Sequence, residues 1–293
     1  MEGRRDGVAH GAHVRRLDRG FRWPGGRSLA IVFNVAFEGW SEGHAPGIGP
    51  MGNPLPPGSF DTNAASWGAY GLERGMDRLL RVLDGAGLRA SVMVSGCLAE
   101  RDPPLVRAIA AAGHEIVAHS HAQEIVPARL TAEEDRANIA RTTDSLAAAS
   151  GVRPAGWISP RGTPGVDTAR HLMEAGYAWH GDAFDDDRPY LQDFASGSIV
   201  AIPLTMEIND LPHAMRFGRS PRQFVEQFDD ALVHMLAAGD EAMMIDVTAH
   251  AHVYGRPAGA WAFAAIAHRI RDMSEVHVAT RGEIAAHVRQ ALG

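Results

Sequence analysis

The sequence predicts an α/β fold, a single distorted parallel (β/α) barrel, and three observations lead to this prediction. Short, almost wholly apolar segments recur along the 293 residues, as in strands that are covered on both faces. Helical segments with recognisable capping residues separate them. Polar side chains cluster where the apolar segments end, which is where barrel enzymes hold their catalytic groups. We place the barrel domain at residues 27–293, after an arginine-rich arm at residues 1–26.

The apolar segments predict the strands. The first covers residues 29–37, and Asn34 is its one polar residue. The others are expected at residues 90–95, 115–119, 156–159, 177–180, 199–204, 242–249 and 276–279. A long loop rich in proline and glycine follows the first strand, which is typical of a functional loop. Because strands and helices alternate, we expect parallel strands with right-handed crossovers.

Capping sequences mark the starts of the helices. Asp102 precedes a proline, which places an N-cap before a first-turn proline. Capping boxes begin at Thr131, Ser220 and Thr280, each with Glu or Gln three residues later. Leucine and methionine at helical spacing predict a further helix over residues 70–83.

Composition and charge favour chemistry on small molecules. The net charge is −7 and no block of like charge occurs, so we expect no nucleic acid and no membrane as partner. No N-terminal apolar run is long enough for a signal peptide or a membrane helix. The single cysteine, Cys97, excludes an internal disulfide and fits a cytoplasmic protein. We expect a homo-oligomer, whose N-terminal arm is either mobile or crosses between subunits.

The candidate site consists of polar residues at the predicted strand ends. The candidates are Asn34, Glu38 and Trp40 after the first strand, His119, His121 and Gln123 after the third, Arg161 after the fourth, Asp210 after the sixth, and His250 and His252 after the seventh. Since parallel strands end at one rim of a barrel, we expect these side chains to converge. On a continuing strand, His119 and His121 would point the same way.

The residue types suggest roles in amide chemistry. Glu38 follows an apolar strand and suits a general base or acid, its alternative role being to cap the turn at Gly39. His250 ends another apolar strand and suits proton transfer to a leaving nitrogen, the alternative being a buried histidine bonded to backbone. Arg161 suits a carbonyl, carboxylate or oxyanion, or pins its own loop by bonding to Asp182 or its neighbours.

Five segments in this order resemble the polysaccharide deacetylase superfamily. They are residues 33–40, the strand from Gly113 to His119, residues 157–161, residues 209–212, and the stretch from Ala249 to Pro257. The chain looks most similar to the branch with allantoinase-like and cyclic-imide-hydrolase-like members, from about residue 28 to residue 290. The resemblance implies a distorted barrel and the hydrolysis of carbon–nitrogen amide bonds.

The chain also departs from the pattern of the family's metal-dependent members. Those have an aspartate base and an aspartate ligand in the first motif, and two histidines four residues apart in the second. Here the base falls on Asn34 or Phe37 and the ligand on Ala36 or Glu38, and Gln123 replaces the second histidine. The departures predict that no metal is tightly bound. The alternative is a divalent metal such as zinc, held by Glu38, His119 and either His121 or His250.

Three hypotheses of function follow. The first is an amidohydrolase that opens a small cyclic amide, imide or ureide. In it, Glu38 or His119 activates water, Arg161 and Gln123 polarise the carbonyl, and His250 protonates the leaving nitrogen. The remaining substrate-binding candidates are Asn34, Trp40, His121, Asp210 and His252. The second hypothesis is a metal-dependent deacetylase of N-acetylated sugars or amines, and the third is a barrel that binds ligands without turnover.

Overall fold

One curled, mostly parallel sheet forms a half-barrel, and helices cover its outer face. The computed structural model describes residues 12–52, 55–56 and 58–293. The strands are β1 His13–Arg16, β2 Leu29–Phe37, β3 Ser91–Val94, β4 Glu115–Ala118, β5 Gly156–Trp157, β6 Trp179–His180, β7 Tyr190–Phe194, β8 Gly197–Ala201, β9 Met243–His250 and β10 Val276–Val278.

The parallel part of the sheet confirms the predicted fold class. It runs in the order β8, β6, β5, β4, β3 and β2, and β9 pairs with β2 over residues 29–36 of β2. The strand β10 pairs with the first residues of β2. The antiparallel strand β7 was not predicted: it pairs with β8 on one side and with β1 on the other. This extension replaces a helical crossover between β6 and β8.

The sequence of β2 explains why this strand lies at the centre of the sheet. Every residue of Leu29–Phe37 is buried, as expected for a strand covered on both faces. Alternate side chains point to opposite faces. Ala30, Val32 and Ala36 belong to the core inside the barrel. Leu29, Ile31, Phe33, Val35 and Phe37 pack against the surrounding helices. By the same alternation, Asn34 and Glu38 face the interior.

The helices begin where the capping residues predict. They are α1 Thr62–Tyr70, α2 Met76–Ala86, α3 Gly96–Arg101, α4 Pro103–Ala111, α5 Ala132–Ser150, α6 Thr168–Glu174, α7 Pro221–Ala238, α8 Pro257–Arg271 and α9 Arg281–Leu292. Asp102 caps α4, and Thr131, Ser220 and Thr280 form capping boxes at α5, α7 and α9. The helix predicted over residues 70–83 starts earlier, because Asp61 caps α1 and a π-helical turn continues α1 into α2.

The described part of the N-terminal arm packs on the barrel. Residues 13–16 form β1, and Trp23 is buried with its indole Nε1 donating to the Met243 carbonyl at 2.8 Å. Residues 1–11, with Arg4 and Arg5, lie outside the described residues. The domain boundary at residue 27, the cytoplasmic location and the homo-oligomer stay predictions. In the described part of the chain, no helix has the length and apolar character that a membrane span needs.

A buried arginine organises the barrel interior and corrects the role predicted for Asn34. Arg281, at the start of α9, is fully buried, with Nη2 3.1 Å from Asp246 Oδ2 and Nε donating to Asn34 Oδ1 at 3.1 Å. The Asn34 carboxamide nitrogen donates to Asp246 Oδ1 at 2.7 Å and to Thr248 Oγ1 at 3.0 Å. Because these bonds occupy its amide, Asn34 is a structural residue rather than a substrate-binding one.

Candidate active site

The carboxylate of Glu38 is the centre of the candidate site. Its side chain is 9% exposed at the end of β2. Oε1 lies 3.4 Å from His119 Nε2 and 3.7 Å from His250 Nε2, and Oε2 lies 3.8 Å from His252 Nδ1. The alternative role of Glu38, capping the turn at Gly39, is wrong, because the Gly39 amide donates to Ser95 Oγ. Three of the predicted catalytic residues therefore meet at one carboxylate.

Backbone geometry directs His119 towards Glu38. β4 ends at Ala118, and Ser120 has a left-handed φ of 54°, so the chain turns sharply after His119. His119 Nδ1 lies 2.6 Å from the Ile158 carbonyl oxygen. A carbonyl only accepts hydrogen bonds, so Nδ1 carries a proton and Nε2 is the nitrogen that faces Glu38.

His250 is held by Asp210. His250 Nδ1 donates to Asp210 Oδ1 at 2.6 Å, and the backbone amides of His250 and Tyr254 donate to Oδ2 at 2.8 Å and 3.0 Å. Asp210, predicted to bind substrate, is instead a fully buried residue that orients His250. The alternative for His250, a histidine bonded to backbone, is wrong, because its ring bonds to a carboxylate. This arrangement leaves His250 Nε2 facing Glu38.

The local charges set the protonation states of the cluster. Burial raises the pKa of Glu38, but the charge of His250 and the hydrogen bond from His119 outweigh burial and hold this pKa at about 2. Burial lowers the pKa of His250, while Asp210 and Glu38 raise it to about 9. Burial lowers the pKa of His252 to about 4, against the effect of Glu38. At neutral pH, Glu38 is ionised, His250 is protonated and His252 is neutral.

Two tryptophans enclose His252. The rings of Trp40 and Trp67 meet the imidazole edge to face, with centroids 5.5 Å and 4.5 Å away. Trp40 was predicted, and Trp67 was missed because it lies inside α1 rather than after a strand. The Arg256 guanidinium donates to the His252 and Trp67 carbonyls and stacks 4.0 Å from the Tyr70 ring centroid. These contacts form an aromatic wall around His252, whose Nδ1 lies 3.8 Å from Glu38 Oε2.

His121 and Gln123 do not take the roles predicted for them. The turn at Ser120 sends His121 away from Glu38, and its Nε2 lies 3.0 Å from Glu100 Oε1. His119 and His121 would point the same way only on a continuing strand, and β4 ends at Ala118. The carboxamide nitrogen of Gln123 donates to Ser95 Oγ at 2.9 Å and to the His119 carbonyl at 3.2 Å. Because both N–H groups are used, Gln123 supports the loop instead of polarising a substrate carbonyl.

Arg161 lies on the loop after β5, as predicted, but the structure does not join it to the cluster. Its backbone has a left-handed φ of 61°, and the residue is exposed. Its guanidinium forms no hydrogen bond or ion pair with another residue of the described part of the chain. The alternative, that Arg161 pins its loop by bonding to Asp182 or its neighbours, is wrong, because the guanidinium bonds to none of them. Asp182 instead accepts from the amide and the hydroxyl of Ser159 at 2.7 Å and 2.6 Å.

A cavity of about 450 Å³ lies beside these loops. Asp182, His180 and Gln192 contribute polar groups to it, and Phe184 and Tyr190 contribute aromatic rings. His180 follows Trp179, which belongs to the core inside the barrel. Since neighbouring strand residues face opposite ways, the cavity lies on the outer side of the strand ends. It is a separate feature from the Glu38 cluster.

Comparisons with known proteins show which family this chain is similar to. The family model for polysaccharide deacetylase matches residues 59–180. The peptidoglycan deacetylase of Helicobacter pylori is 23% identical over 228 residues, which cover 66% of this chain and 76% of that protein. The structure of a probable polysaccharide deacetylase from Pseudomonas aeruginosa PAO1 is 28% identical, with a TM-score of 0.82 and coverage of 92% of this chain and 93% of the other.

A crystal structure named PuuE allantoinase is similar over almost all of both chains. It is 26% identical, has a TM-score of 0.84, and covers 99% of this chain and 98% of its own. Residues 59–180 carry a polysaccharide deacetylase family domain. The deacetylases of this family are hydrolases of carbon–nitrogen bonds, which supports an amide-bond hydrolase here. The polysaccharide deacetylase family resemblance seen in the sequence is thereby confirmed.

Polysaccharide deacetylases generally use a divalent metal ion, and such an ion is consistent with the family of this chain. In this structure the side chains at the corresponding place contact one another and protein groups. The nitrogens of His119 and His250 that face the site both contact a single carboxylate oxygen of Glu38. Gln123 stands at the second histidine position with its amide committed to protein acceptors. Among the described residues, no three or more His, Cys, Asp or Glu side chains are arranged to hold an ion.

Proposed function

We propose that this protein hydrolyses a carbon–nitrogen bond of a small cyclic amide, imide or ureide, without a tightly bound metal ion. One observation carries the proposal. A single carboxylate oxygen, Glu38 Oε1, faces the Nε2 atoms of two imidazoles, His119 and His250, whose Nδ1 atoms are each fixed by an acceptor. This arrangement supplies a base and an acid next to each other, which amide hydrolysis requires.

The base in this proposal is His119 Nε2, and the ionised carboxylate of Glu38 stabilises the imidazolium that forms, so the two residues act as a pair. His119 Nδ1 keeps its proton because it donates to a carbonyl, so the contact between His119 Nε2 and Glu38 Oε1 accommodates one further proton. When the pair lacks that proton, it accepts one from a water molecule. The hydroxide oxygen then forms a bond to the amide carbon, and the carbonyl becomes an oxyanion.

The acid is His250. The charge of Asp210 and the charge of Glu38 keep the imidazole protonated at neutral pH, with Nε2 as the free donor. Collapse of the tetrahedral intermediate breaks the carbon–nitrogen bond, and Nε2 gives its proton to the leaving nitrogen. The products are a carboxylic acid and an amine, which remain on one molecule when the substrate is a ring.

Glu38 also provides the path by which the proton returns from the base to His250 after the reaction. The Glu38–His119 pair has gained one proton and His250 has lost one. Because Oε1 contacts Nε2 of both imidazoles, the proton passes through this oxygen to His250 and the starting state returns. The proton balance therefore closes within three residues.

Two observations favour a small cyclic substrate. The similarity to the structure named PuuE allantoinase extends over 99% of this chain. Trp40 and Trp67 enclose His252 beside Glu38, and an aromatic wall of this kind suits a small planar ring.

The test is turnover of a substrate panel by purified, chelator-treated protein. The panel contains allantoin, a hydantoin, a cyclic imide and N-acetylglucosamine oligomers. We expect ring opening of at least one cyclic compound, and a loss of kcat of about 100-fold or more in Glu38→Gln. The matched control is Glu42→Gln, an exposed carboxylate in the loop after the same strand, which keeps normal turnover.

Two results would contradict the proposal. Cleavage of the N-acetylated sugars alone, and only after a metal ion is added, would establish the metal-dependent deacetylase. Binding of the cyclic compounds with no turnover of any compound would establish the non-catalytic barrel.

A further inference from the structure

A single peptide group lies between His119 and Asp182. The carbonyl of Ile158 accepts a hydrogen bond from His119 Nδ1 at 2.6 Å. The amide of Ser159, which belongs to the same peptide group, donates to Asp182 Oδ1 at 2.7 Å. No cis peptide occurs in the described part of the chain, so the C=O and N–H of this group point in opposite directions. His119, the peptide and Asp182 therefore form one continuous hydrogen-bonded chain.

We infer that Asp182 is a positioning residue for His119 and acts through the Ile158–Ser159 peptide, an inference that rests on the proposed function. A carboxylate that accepts from the amide N–H increases the electron density on the carbonyl oxygen of the same peptide. The carbonyl becomes a stronger acceptor for His119 Nδ1–H. This keeps the proton on Nδ1 and keeps Nε2 directed at Glu38. Asp182 thus acts on His119 without touching it.

Other contacts fix the Asp182 carboxylate in place. Its Oδ2 accepts from Ser159 Oγ at 2.6 Å, and that hydroxyl accepts from Trp157 Nε1 at 3.0 Å. The backbone amide of Asp182 donates to His180 Nδ1 at 3.2 Å, and His180 Nε2 bonds to Gln192 Oε1 at 2.9 Å. Both carboxylate oxygens act as acceptors. Burial raises the pKa of Asp182, and the charge of His180 and the two hydrogen bonds from Ser159 act against that rise.

The position of Asp182 indicates that it does not contact a substrate bound at Glu38. Asp182 lines the cavity on the outer side of the strand ends, whereas His119 faces the barrel interior. The peptide group lies between them. Loss of the Asp182 charge should therefore change the state of His119 without removing a contact to the substrate.

The experiment combines kinetics with nitrogen NMR of histidine-labelled full-length protein. The variant is Asp182→Asn, which keeps the shape of the side chain and removes its charge. Loss of a hydrogen-bond partner of a metal-bound histidine costs about 10- to 100-fold, and we expect kcat to fall by a similar factor here, with KM unchanged. The ring-nitrogen signals of His119, assigned with His119→Asn, should move towards a mixture of the two neutral tautomers.

Two further variants make the result specific. Asp185→Asn removes a neighbouring carboxylate that lines the same cavity and bonds to Tyr190, and it should change neither kcat nor the His119 signals. Ser159→Ala removes the bond to Asp182 Oδ2 and the acceptor of Trp157 Nε1 but keeps the peptide N–H, and it should shift the His119 signals in the same direction by a smaller amount. Ser159→Ala also provides the test of the inference if Asp182→Asn does not fold.

The outcomes distinguish this inference from the proposed function. Unmoved His119 signals in Asp182→Asn, or in Ser159→Ala where Asp182→Asn does not fold, would overturn the inference. Equal shifts in Asp182→Asn and Asp185→Asn would also overturn it. Shifted His119 signals in a protein that turns over no compound of the panel would support the positioning role and contradict the proposed function.

Discussion

Replacing Asp210 with asparagine should move the alkaline limb of the pH–rate profile. Asp210 is fully buried and accepts three hydrogen bonds, from His250 Nδ1 and from the backbone amides of His250 and Tyr254. Asparagine keeps one acceptor oxygen and loses the charge. The side chain that responds is His250, whose protonated form is the acid of the proposed mechanism.

The size of the change follows from the contacts of His250. Burial lowers its pKa, and Asp210 and Glu38 together raise it to about 9. A charge pair about 4 Å apart is worth about 4 kcal/mol at an effective dielectric constant of 20, and about 1.4 kcal/mol corresponds to one pH unit. Loss of the Asp210 charge should therefore move the limb to lower pH by between about one and three units.

The assay is kcat/KM from pH 5 to pH 10 on a cyclic substrate. Since the acid must be protonated, the wild-type protein should lose activity as the pH rises through about 9. Asp210→Asn should lose it at lower pH, and the control Glu207→Gln, an exposed carboxylate, should behave as wild type. An alkaline limb that stays in place in Asp210→Asn would refute the assignment of His250 as the acid.

Further predictions concern stability, the second histidine and metal removal. Arg281→Met should lower the free energy of unfolding in urea by about 3–5 kcal/mol because it leaves Asp246 buried without its cation, and the double variant with Asp246→Asn should lose less. A loss below about 1 kcal/mol would contradict this. The folded pKa of His250 lies above its unfolded value of about 6.5, so its contribution to stability is full below about pH 6.5 and is lost as the pH rises through about 9. Urea unfolding of the wild-type protein and of His250→Gln at several pH values measures this contribution. If the two free energies of unfolding changed with pH in parallel, the predicted contribution of His250 would be contradicted. His121→Ala should change kcat by less than about threefold, since His121 faces Glu100, and a loss comparable with that of a general acid or base would contradict this. Hydrolytic activity should survive treatment with a chelator. Activity that the chelator abolishes and zinc restores would contradict this prediction.

Much of the candidate site followed from the position of residues at strand ends. Glu38 and His250 both follow apolar strands, and the two-residue alternation of side chains puts Asn34, Ala36 and Glu38 on one face of β2. Parallel pairing then brings the ends of β2, β4 and β9 to one rim. Local sequence pattern is sufficient for this step, because strand direction and side-chain alternation are both regular.

The predicted roles that the structure contradicts depend on backbone turns and on partners that are distant in the sequence. His121 was expected beside His119, but the left-handed turn at Ser120 separates them, and serine gives no sign in the sequence that it will adopt that conformation. Asn34 was expected to bind substrate, but Arg281, 247 residues further along, takes its amide oxygen. Such contacts arise only when the sheet has closed.

The antiparallel hairpin of β7 and β8 escaped prediction for a related reason. The segment before it contains Asp185, Asp186 and Asp187, which suggested a loop at a strand end. Its antiparallel direction follows from the short connection between Phe194 and Gly197, because parallel strands need a longer crossover. Its other partner, β1, has four residues in the arginine-rich arm, and a strand so short and so polar carries little periodicity of its own.

The most direct test of the central claim is the kcat of folded His119→Ala on the cyclic substrate that the wild-type protein opens. The imidazole of His119 contacts Glu38 and shares its proton in the proposed mechanism. We expect kcat to fall about 100-fold or more, with the circular dichroism spectrum unchanged. Near-normal kcat in the folded variant, with a loss of stability of only about 1–3 kcal/mol, would show that His119 is a packing residue and would contradict the mechanism.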